Sequence, residues 1–314
     1  MILHTDKKFL SDTIRATSEK LNIKVEFIEK DYWITLALKH LANSQYATSA
    51  VFKGGTSLSK GYNLINRFST DIDIAIIDEE NNSGNKIKTI IRTIEKEMTK
   101  EMEEINVDGI TSKGSMFRKS VFEYESIDKE NPDNRLMVEI NSFANPFPFQ
   151  RLTIKSFVFD FFTQTDNNRY VEQYNLQPFE INVLNKEQTL LEKLVSLIRF
   201  SFDANVIDSI SKKIRHFYDL YFLLNDPECA AFVSSSEFKT RFHEILNHDK
   251  KLFDEPLGWQ TMSVSESPLI LNFVVLWQQL KNVYQSELTA LSYSTIPNQT
   301  QIAESFNKLI THLK

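Results

Sequence analysis

Residues 51–77, VFKGGTSLSKGYNLINRFSTDIDIAII, constrain the fold more than any other part of the chain. Their pattern predicts a short strand, a glycine turn that opens a helix, a polar loop and a second strand. In the second strand, three isoleucines alternate with Asp71 and Asp73, so that both carboxylates lie on one face. Neighbouring like charges, and Asp within a strand, are unfavourable for folding. Carboxylate oxygens are, however, good ligands for divalent cations, so we predict that Asp71 and Asp73 are catalytic metal ligands.

The glycine pair Gly54 and Gly55 stands at the start of the predicted helix. Without side chains the backbone can approach a ligand closely, and the free N–H groups of a helix start favour phosphate. Thr56 and Ser57 complete this candidate phosphate-binding turn. Metal-binding carboxylates beside a phosphate site are what nucleotidyl transfer requires. Either motif alone is equally typical of a turn or a surface strand; their order, and the 16 residues from Gly55 to Asp71, favour the functional interpretation.

The same stretch resembles a known family. GGTS followed by FSTDIDIAI is similar to the GG/GS…DxD signature of nucleotidyltransferases, in the form found in AbiEii/AbiGii-type toxins of type IV toxin–antitoxin and abortive-infection systems. EKDYW at 29–33, LEKL at 191–194 and RHFYDL at 215–220 resemble further elements of these proteins. The resemblance covers about residues 25–225.

The resemblance implies a third acid on a neighbouring strand. Glu139 in LMVEIN has the required apolar–acid–apolar form, and we expect it to be catalytic and a metal ligand; Glu180 in FEIN is the rival. Lys30 or Asp31 of EKDYW is expected to touch nucleotide or target, the alternative being an ordinary charged helix face.

Two later residues are expected at the site as well. Lys193 flanks an apolar helix stripe, from which it could extend its ammonium to the triphosphate; simple packing of its stem is the alternative. The resemblance implies that Asp219 is a site residue; the alternative is that it is the partner of Arg215, four residues earlier on the same helix.

The remaining pattern predicts an α/β (α+β) nucleotidyltransferase-like lobe with a mixed sheet at 1–184, followed by an all-α lobe at 185–314, with the site between them. Helices are expected at 6–20, 25–43 and 86–104, and strands at 106–111, 115–125 and 135–142. An aromatic strand is expected around Phe157, Phe159 and Phe161, and residues 143–184 are expected to supply irregular connections and edge strands. Helices follow from Asn185, at 204–225, 234–249, 267–288 and 298–313.

Composition narrows the class of protein. The single cysteine, Cys229, excludes an internal disulfide and fits a reducing cytoplasm. No apolar run is long enough to span a bilayer, and the start of the chain lacks a signal-peptide pattern. The net charge of −6 argues against a globally basic nucleic-acid binder. The segment from Lys186 to His216, however, contains six Lys or Arg and four Asp or Glu, and is therefore a candidate RNA-facing surface.

These observations predict transfer of a nucleoside monophosphate from an NTP to an acceptor hydroxyl, with Mg²⁺ or Mn²⁺ as cofactor. The resemblance implies tRNA as acceptor and a cognate antitoxin as partner, and a protein acceptor stays open. The rival function is a non-catalytic NTP-binding or partner-binding module. A P-loop NTPase is excluded because GGTSLSKG lacks the GxxxxGK[ST] spacing.

Overall fold

The computed structural model describes residues 1–69, 71–78, 83–128 and 134–314. Thr70, within FSTDIDIAI, lies outside the described residues. The chain divides into two compact units. We call Met1–Asn63 with Phe68–Leu184 the sheet unit, and Leu64–Arg67 with Asn185–Lys314 the helical unit.

The sheet unit is built on one mixed sheet. In spatial order the strands run β3-β5-β6-β2-β1-β8-β7, and β4 pairs with β5. Two neighbouring pairs, β1–β8 and β2–β6, are parallel, and the others are antiparallel. The strands are β1 Ala50–Lys53, β2 Asp71–Ile76, β3 Glu103–Ile105, β4 Ser112–Lys113, β5 Phe117–Glu123, β6 Arg135–Asn141, β7 Phe149–Ile154 and β8 Phe179–Leu184.

Helices of the sheet unit cover one face of this sheet. Ile72 and Ile74 of β2 are fully buried on that face, as are Val138 and Ile140 of β6. Helix α4 packs against β5 and β6 through its own isoleucine stripe. The helices are α1 Lys7–Leu21, α2 Val25–Ala42, α3 Gly54–Lys60, α4 Gly84–Met98, α5 Phe157–Gln164 and α6 Asn168–Gln173. On the other face Asp71 and Asp73 are only half-buried, as the alternation of β2 requires.

The helical unit is a bundle in which α9 packs against α7, α10, α13 and α14. Its interior contains the apolar stripe of α7 and an aromatic cluster of Phe217, Phe273, Trp277 and Phe306. The helices are α7 Lys186–Phe200, α8 Val206–Ser211, α9 Arg215–Asn225, α10 Pro227–Val233, α11 Glu237–Leu252, α12 Pro268–Leu271, α13 Phe273–Leu291 and α14 Gln299–Thr311. Across the described residues, no helix is long and apolar enough to cross a membrane.

The predicted fold class, a mixed-sheet α/β lobe followed by an all-α lobe, is confirmed, but several elements differ. The alternating phenylalanines form helix α5, because Ser156 accepts a hydrogen bond from the N–H of Phe159 and caps it. The strand expected at 106–111 is a turn closed by Ile110 N–H to Val107 O. The helix expected at 204–225 is two helices, α8 and α9. β8 is not an edge strand, since it lies between β1 and β7.

The EKDYW segment of α2 is an interior element. Glu29, Lys30 and Asp31 are all at most 3% exposed, so the alternative interpretation, an ordinary charged helix face, is wrong. Glu29 accepts hydrogen bonds from Ile127 N and Ser126 Oγ, while Asp31 accepts from Phe157 N and pairs with Lys60 at the end of α3. These carboxylates therefore join α2 to the helices and loops packed around it. Contact of Lys30 or Asp31 with nucleotide or target stays a prediction.

A buried ion pair fixes α4 against the covered face of the sheet. Arg118 of β5 donates to Glu95 of α4, Nε to Oε2 at 2.6 Å, and both side chains are at most 8% exposed. Arginine stays charged in proteins, so loss of the carboxylate leaves a buried charge without its counter-ion.

Glu95→Gln should therefore lower the free energy of unfolding by about 3–5 kcal/mol. Glu104→Gln is the matched control, because the Lys113–Glu104 pair of the same strand region is exposed. That control should cost about 1 kcal/mol or less. Urea unfolding of both variants measures the difference, and equal small losses would show that the Arg118–Glu95 pair does not hold α4.

Candidate active site

Strand pairing places four charged residues in one row across the half-buried face of the sheet. Lys53 of β1 is opposite Asp73 of β2, Asp73 is in register with Glu139 of β6, and Glu139 is opposite Lys119 of β5. We call these four residues the carboxylate row. Asp71 lies on the same face, two residues before Asp73. The row therefore places two of the three acids predicted as metal ligands, Asp73 and Glu139, on neighbouring strands with a lysine at each end.

Gly54 is required by the position of Asp73. Its φ of +76° lies in the left-handed region, and a Cβ there would be 2.1 Å from Asp73 Oδ2. No side chain could occupy this position without displacing the carboxylate. The glycine turn therefore packs directly against the strand that carries the aspartates, and the start of α3 lies beside the Asp73 carboxylate.

The hydroxyls of the glycine turn bind the protein itself. Thr56 Oγ1 donates to the carbonyl of Asp71, and Ser57 Oγ donates to the carbonyl of Gly54 at 2.9 Å. Both residues are at most 2% exposed. The Thr56 bond therefore ties α3 to β2, whereas the Ser57 bond lies within α3. Phosphate binding by this turn, including Gly55, stays a prediction that rests on backbone N–H groups.

The two candidates for the third acid occupy different levels of the sheet. Glu139 is in register with Asp73. On β8, Val183 is paired with Phe52, so Glu180 lies at the level of Ser49, four residues along the strand direction from Lys53. Its carboxylate is mostly exposed and lies 3.6 Å from Arg151 Nε. The geometry therefore favours Glu139 over Glu180.

The donor chemistry of the row fits a divalent cation. Asp71, Asp73 and Glu139 offer hard oxygen ligands, and the missing Gly54 side chain leaves room beside Asp73. Within the part of the chain that the structure describes, no three His, Cys, Asp or Glu are gathered closely enough to hold an ion. Glu139 Oε2 lies 3.6 Å from Lys119 Nζ instead. Asp71 and Asp73 are thus the residues that would hold an ion, and Glu139 would join them by giving up Lys119.

The other two predicted site residues belong to a buried charge cluster in the helical unit, which we define as Arg67, Lys193 and Asp219. Arg67 Nε and one terminal nitrogen bind the two oxygens of Asp219 at 2.7 and 2.6 Å, and Lys193 Nζ binds Oδ2 at 2.8 Å. Asp219 is fully buried. Burial opposes its ionisation, but the charges of Arg67 and Lys193 together hold the pKa of Asp219 well below its usual range.

The structure corrects the expected environment of Lys193. The sequence pattern predicts that the aliphatic stem of Lys193 places its ammonium at the surface. The side chain is only 7% exposed, however, and the ammonium binds Asp219. Asp219 does not pair with Arg215, whose Nε lies 3.1 Å from Glu287 Oε1 instead. The adjacent His216 has a pKa well below its ordinary value because of burial and the charge of Lys193. A phosphate contact of Lys193 stays a prediction, and it requires the ammonium to leave Asp219.

The local excess of cations between Lys186 and His216 does not translate into free charges. Lys186 pairs with Asp226 and Glu228, and Lys212 pairs with Asp208. Arg199 donates to the carbonyl of Glu255 and stacks on Phe253, while Lys213 lies over Phe200. Together with Lys193 and Arg215, all six cations contact groups of the same chain, so this count carries no argument for an RNA surface.

Three residues of these sites are missing from the sequence prediction. Lys53 directly precedes the glycine pair and alternates with Val51, a signal that strand periodicity could have used. Lys119 emerges only once β5 is paired with β6. Arg67 stands in the polar loop before FSTDIDIAI, and its partner Asp219 is 152 residues away in sequence.

The mixed sheet, the glycine turn and the carboxylate row fit a protein of the nucleotidyltransferase class. A family model described as "Nucleotidyl transferase AbiEii toxin, Type IV TA system" matches residues 36–299, so the chain belongs to the AbiEii family of nucleotidyltransferase toxins. Among solved structures, MenT4, a nucleotidyltransferase toxin from Mycobacterium tuberculosis H37Rv, is similar over 96% of this chain and 99% of its own, with 15% identity and a TM-score of 0.45. No curated protein matches the chain.

Gly54→Ala should be more harmful than the same change at Gly109. Both glycines have φ near +77°, but a Cβ at Gly109 would meet nothing within 4 Å. Gly109→Ala should cost about 1 kcal/mol of stability from backbone strain alone. Gly54→Ala should cost a further 1–3 kcal/mol, roughly the cost of overpacking. Chemical unfolding checks this; equal losses would mean that Asp73 yields freely.

The depressed pKa of Asp219 predicts acid sensitivity. A carboxyl group with a lower pKa in the folded state stabilises it fully above the unfolded value, about 3.9. Relative to Asp219→Asn, the wild type should be more stable by about 3–5 kcal/mol at pH 7. That advantage should shrink as the pH falls below about 4. Urea unfolding from pH 7 to pH 3 measures it, and a constant difference down to pH 3 would contradict the assignment.

Proposed function

We propose that this protein transfers a nucleoside monophosphate from an NTP to an acceptor hydroxyl, releasing pyrophosphate, and that it depends on a divalent cation. One observation carries the proposal: Asp73, in register with Glu139, lies against the one backbone position, Gly54, that opens the glycine turn. Carboxylates and a side-chain-free helix start are thereby adjacent within one rigid piece of sheet.

The residues divide the work according to their positions. Asp71 and Asp73 would hold Mg²⁺ or Mn²⁺, and Glu139 is the third acid. When bound, the ion supplies charge neutralisation for the triphosphate and activation of the attacking hydroxyl. Gly54 leaves room for the Asp73 carboxylate beside the helix start, and the hydroxyl of Thr56 ties α3 to the carbonyl of Asp71. The turn and the aspartates therefore keep their spacing while substrate binds.

The family description supports a partner, and we add an acceptor and a location as proposals. Its description as a type IV toxin–antitoxin component supports a cognate antitoxin that restrains this protein. We propose tRNA as the acceptor and the cytoplasm as the place of action, and a protein acceptor is the alternative outcome of the experiment below.

A non-catalytic NTP-binding or partner-binding module is the second candidate. It is favoured by the Glu139–Lys119 pair, since in the described part of the chain three ion ligands are not gathered. Incubation with each α-³²P-labelled NTP, Mg²⁺ or Mn²⁺, and total RNA with protein extract separates the two. A labelled macromolecule and released pyrophosphate support transfer, whereas NTP binding without either product supports the module.

Asp71→Asn and Asp73→Asn should each lower transfer by about 100-fold or more, because the amide keeps the shape but loses the charge. Glu139→Gln should have a similar effect, and Glu180→Gln is the matched control that should stay near wild type. Initial rates of label incorporation measure all four, with thermal melts to verify folding. If Glu180→Gln is the more harmful of the two, the third acid is Glu180.

A further inference from the structure

We infer that Lys119 makes cation binding at the carboxylate row depend on nucleotide. Without nucleotide, Lys119 neutralises Glu139 and keeps it from the aspartates; with a cation–NTP complex, Lys119 moves to a phosphate group and releases Glu139. This inference rests on the proposed function and adds a positioning residue to it.

The pairing of three strands supplies the geometry. Glu139 lies between Asp73 on one side and Lys119 on the other, in one register row. Neighbouring strands are about 4.8 Å apart, so Asp73 and Glu139 are close enough to repel each other. Lys119 Nζ lies 3.6 Å from Glu139 Oε2, which offsets that repulsion. The row therefore needs Lys119 most when no cation is present.

The partial exposure of this pair makes the exchange feasible. The side chains of Lys119 and Glu139 are 32% and 28% exposed. A pair of this kind is worth little free energy, so a phosphate or a divalent cation can replace either partner. The Arg118–Glu95 pair, one residue away on the opposite face, is buried and does not offer this exchange.

A lysine suits the second half of the exchange. Its ammonium is a compact charge on a flexible four-carbon stem, with three donors that can follow a moving acceptor. Lys119 stands on β5 at the end of the row, one strand from Glu139 and two from Asp73, on the face where a triphosphate would meet the aspartates. Lys119 therefore weakens cation binding while it pairs with Glu139, and it strengthens nucleotide binding once it contacts phosphate.

The chain contains a matched control pair. Arg151 Nε also lies 3.6 Å from a carboxylate, that of Glu180, on the same side of the sheet but away from the aspartates. Arg151→Met removes a cation from an equivalent pair, so any general effect of net charge on ion binding appears in both variants. Lys119→Arg keeps the charge and changes only the shape of the donor.

The experiment measures Mn²⁺ binding by electron paramagnetic resonance, with and without each α,β-methylene NTP analogue, so no turnover is needed. For Lys119→Met, Mn²⁺ alone should bind about three- to tenfold more tightly, because a repelling charge is gone. The analogue, in the presence of Mn²⁺, should bind about tenfold more weakly, because a charged phosphate contact is lost. Lys119→Arg should stay within about twofold for Mn²⁺ alone, and Arg151→Met should resemble wild type.

The outcomes separate the inference from the function on which it rests. If wild type binds no Mn²⁺ even with analogue, the proposed function fails and this inference fails with it. If wild type binds both normally and Lys119→Met is unchanged, or matches Arg151→Met, the inference alone is wrong. If Lys119→Met weakens both affinities together and lowers the melting temperature, Lys119 only supports the fold, which also overturns it.

Discussion

The contact between the Asp73 carboxylate and the backbone of Gly54 is the constraint on which the candidate active site depends. It exists only because residue 54 has no side chain, since a Cβ there would lie 2.1 Å from Oδ2. A second link, from the Thr56 hydroxyl to the Asp71 carbonyl, joins the same helix to the same strand. Both links join β2 to α3, which directly follows β1, and β1 and β2 are paired antiparallel, so strand pairing sets the distance from the helix start to the aspartates.

Local signals were enough to predict this part of the molecule. A period of two predicts that Asp71 and Asp73 share a face, and a glycine pair before a helix predicts a close backbone approach. Both properties belong to segments of a few residues, and the mixed-sheet fold class follows from such segments in order. The third acid is different. Glu139 and Glu180 have the same apolar–acid–apolar neighbourhood, and only the register with Asp73 distinguishes them. Register is a non-local property that one sequence does not reveal.

The wrong predictions also arise from contacts between residues that are far apart in the sequence. The alternating phenylalanines after Ser156 have the period of a strand, yet the N–H groups of the first turn are satisfied by Ser156 and by Asp31 of α2, which favours a helix. Periodicity correctly placed Lys193 beside an apolar stripe, but it says nothing about what meets the ammonium. The partners come from α9 and from the loop before β2, and they turn an expected flexible tip into a buried ion pair.

The two sets of charges differ in how easily they can change partners. In the carboxylate row, Lys119 and Glu139 are partly exposed and 3.6 Å apart, so exchange with a ligand costs little. In the buried charge cluster, a lone Asp219 would be costly, but it has two cations. Arg67 binds both of its oxygens in a bidentate geometry, which guanidinium forms and ammonium cannot. If Lys193 moves away, Arg67 and Asp219 remain as a hydrogen-bonded ion pair with no net charge. If Arg67 moves away, Asp219 keeps only its contact with Lys193. Arg67 is therefore the residue that would allow Lys193 to leave Asp219 and contact a phosphate group.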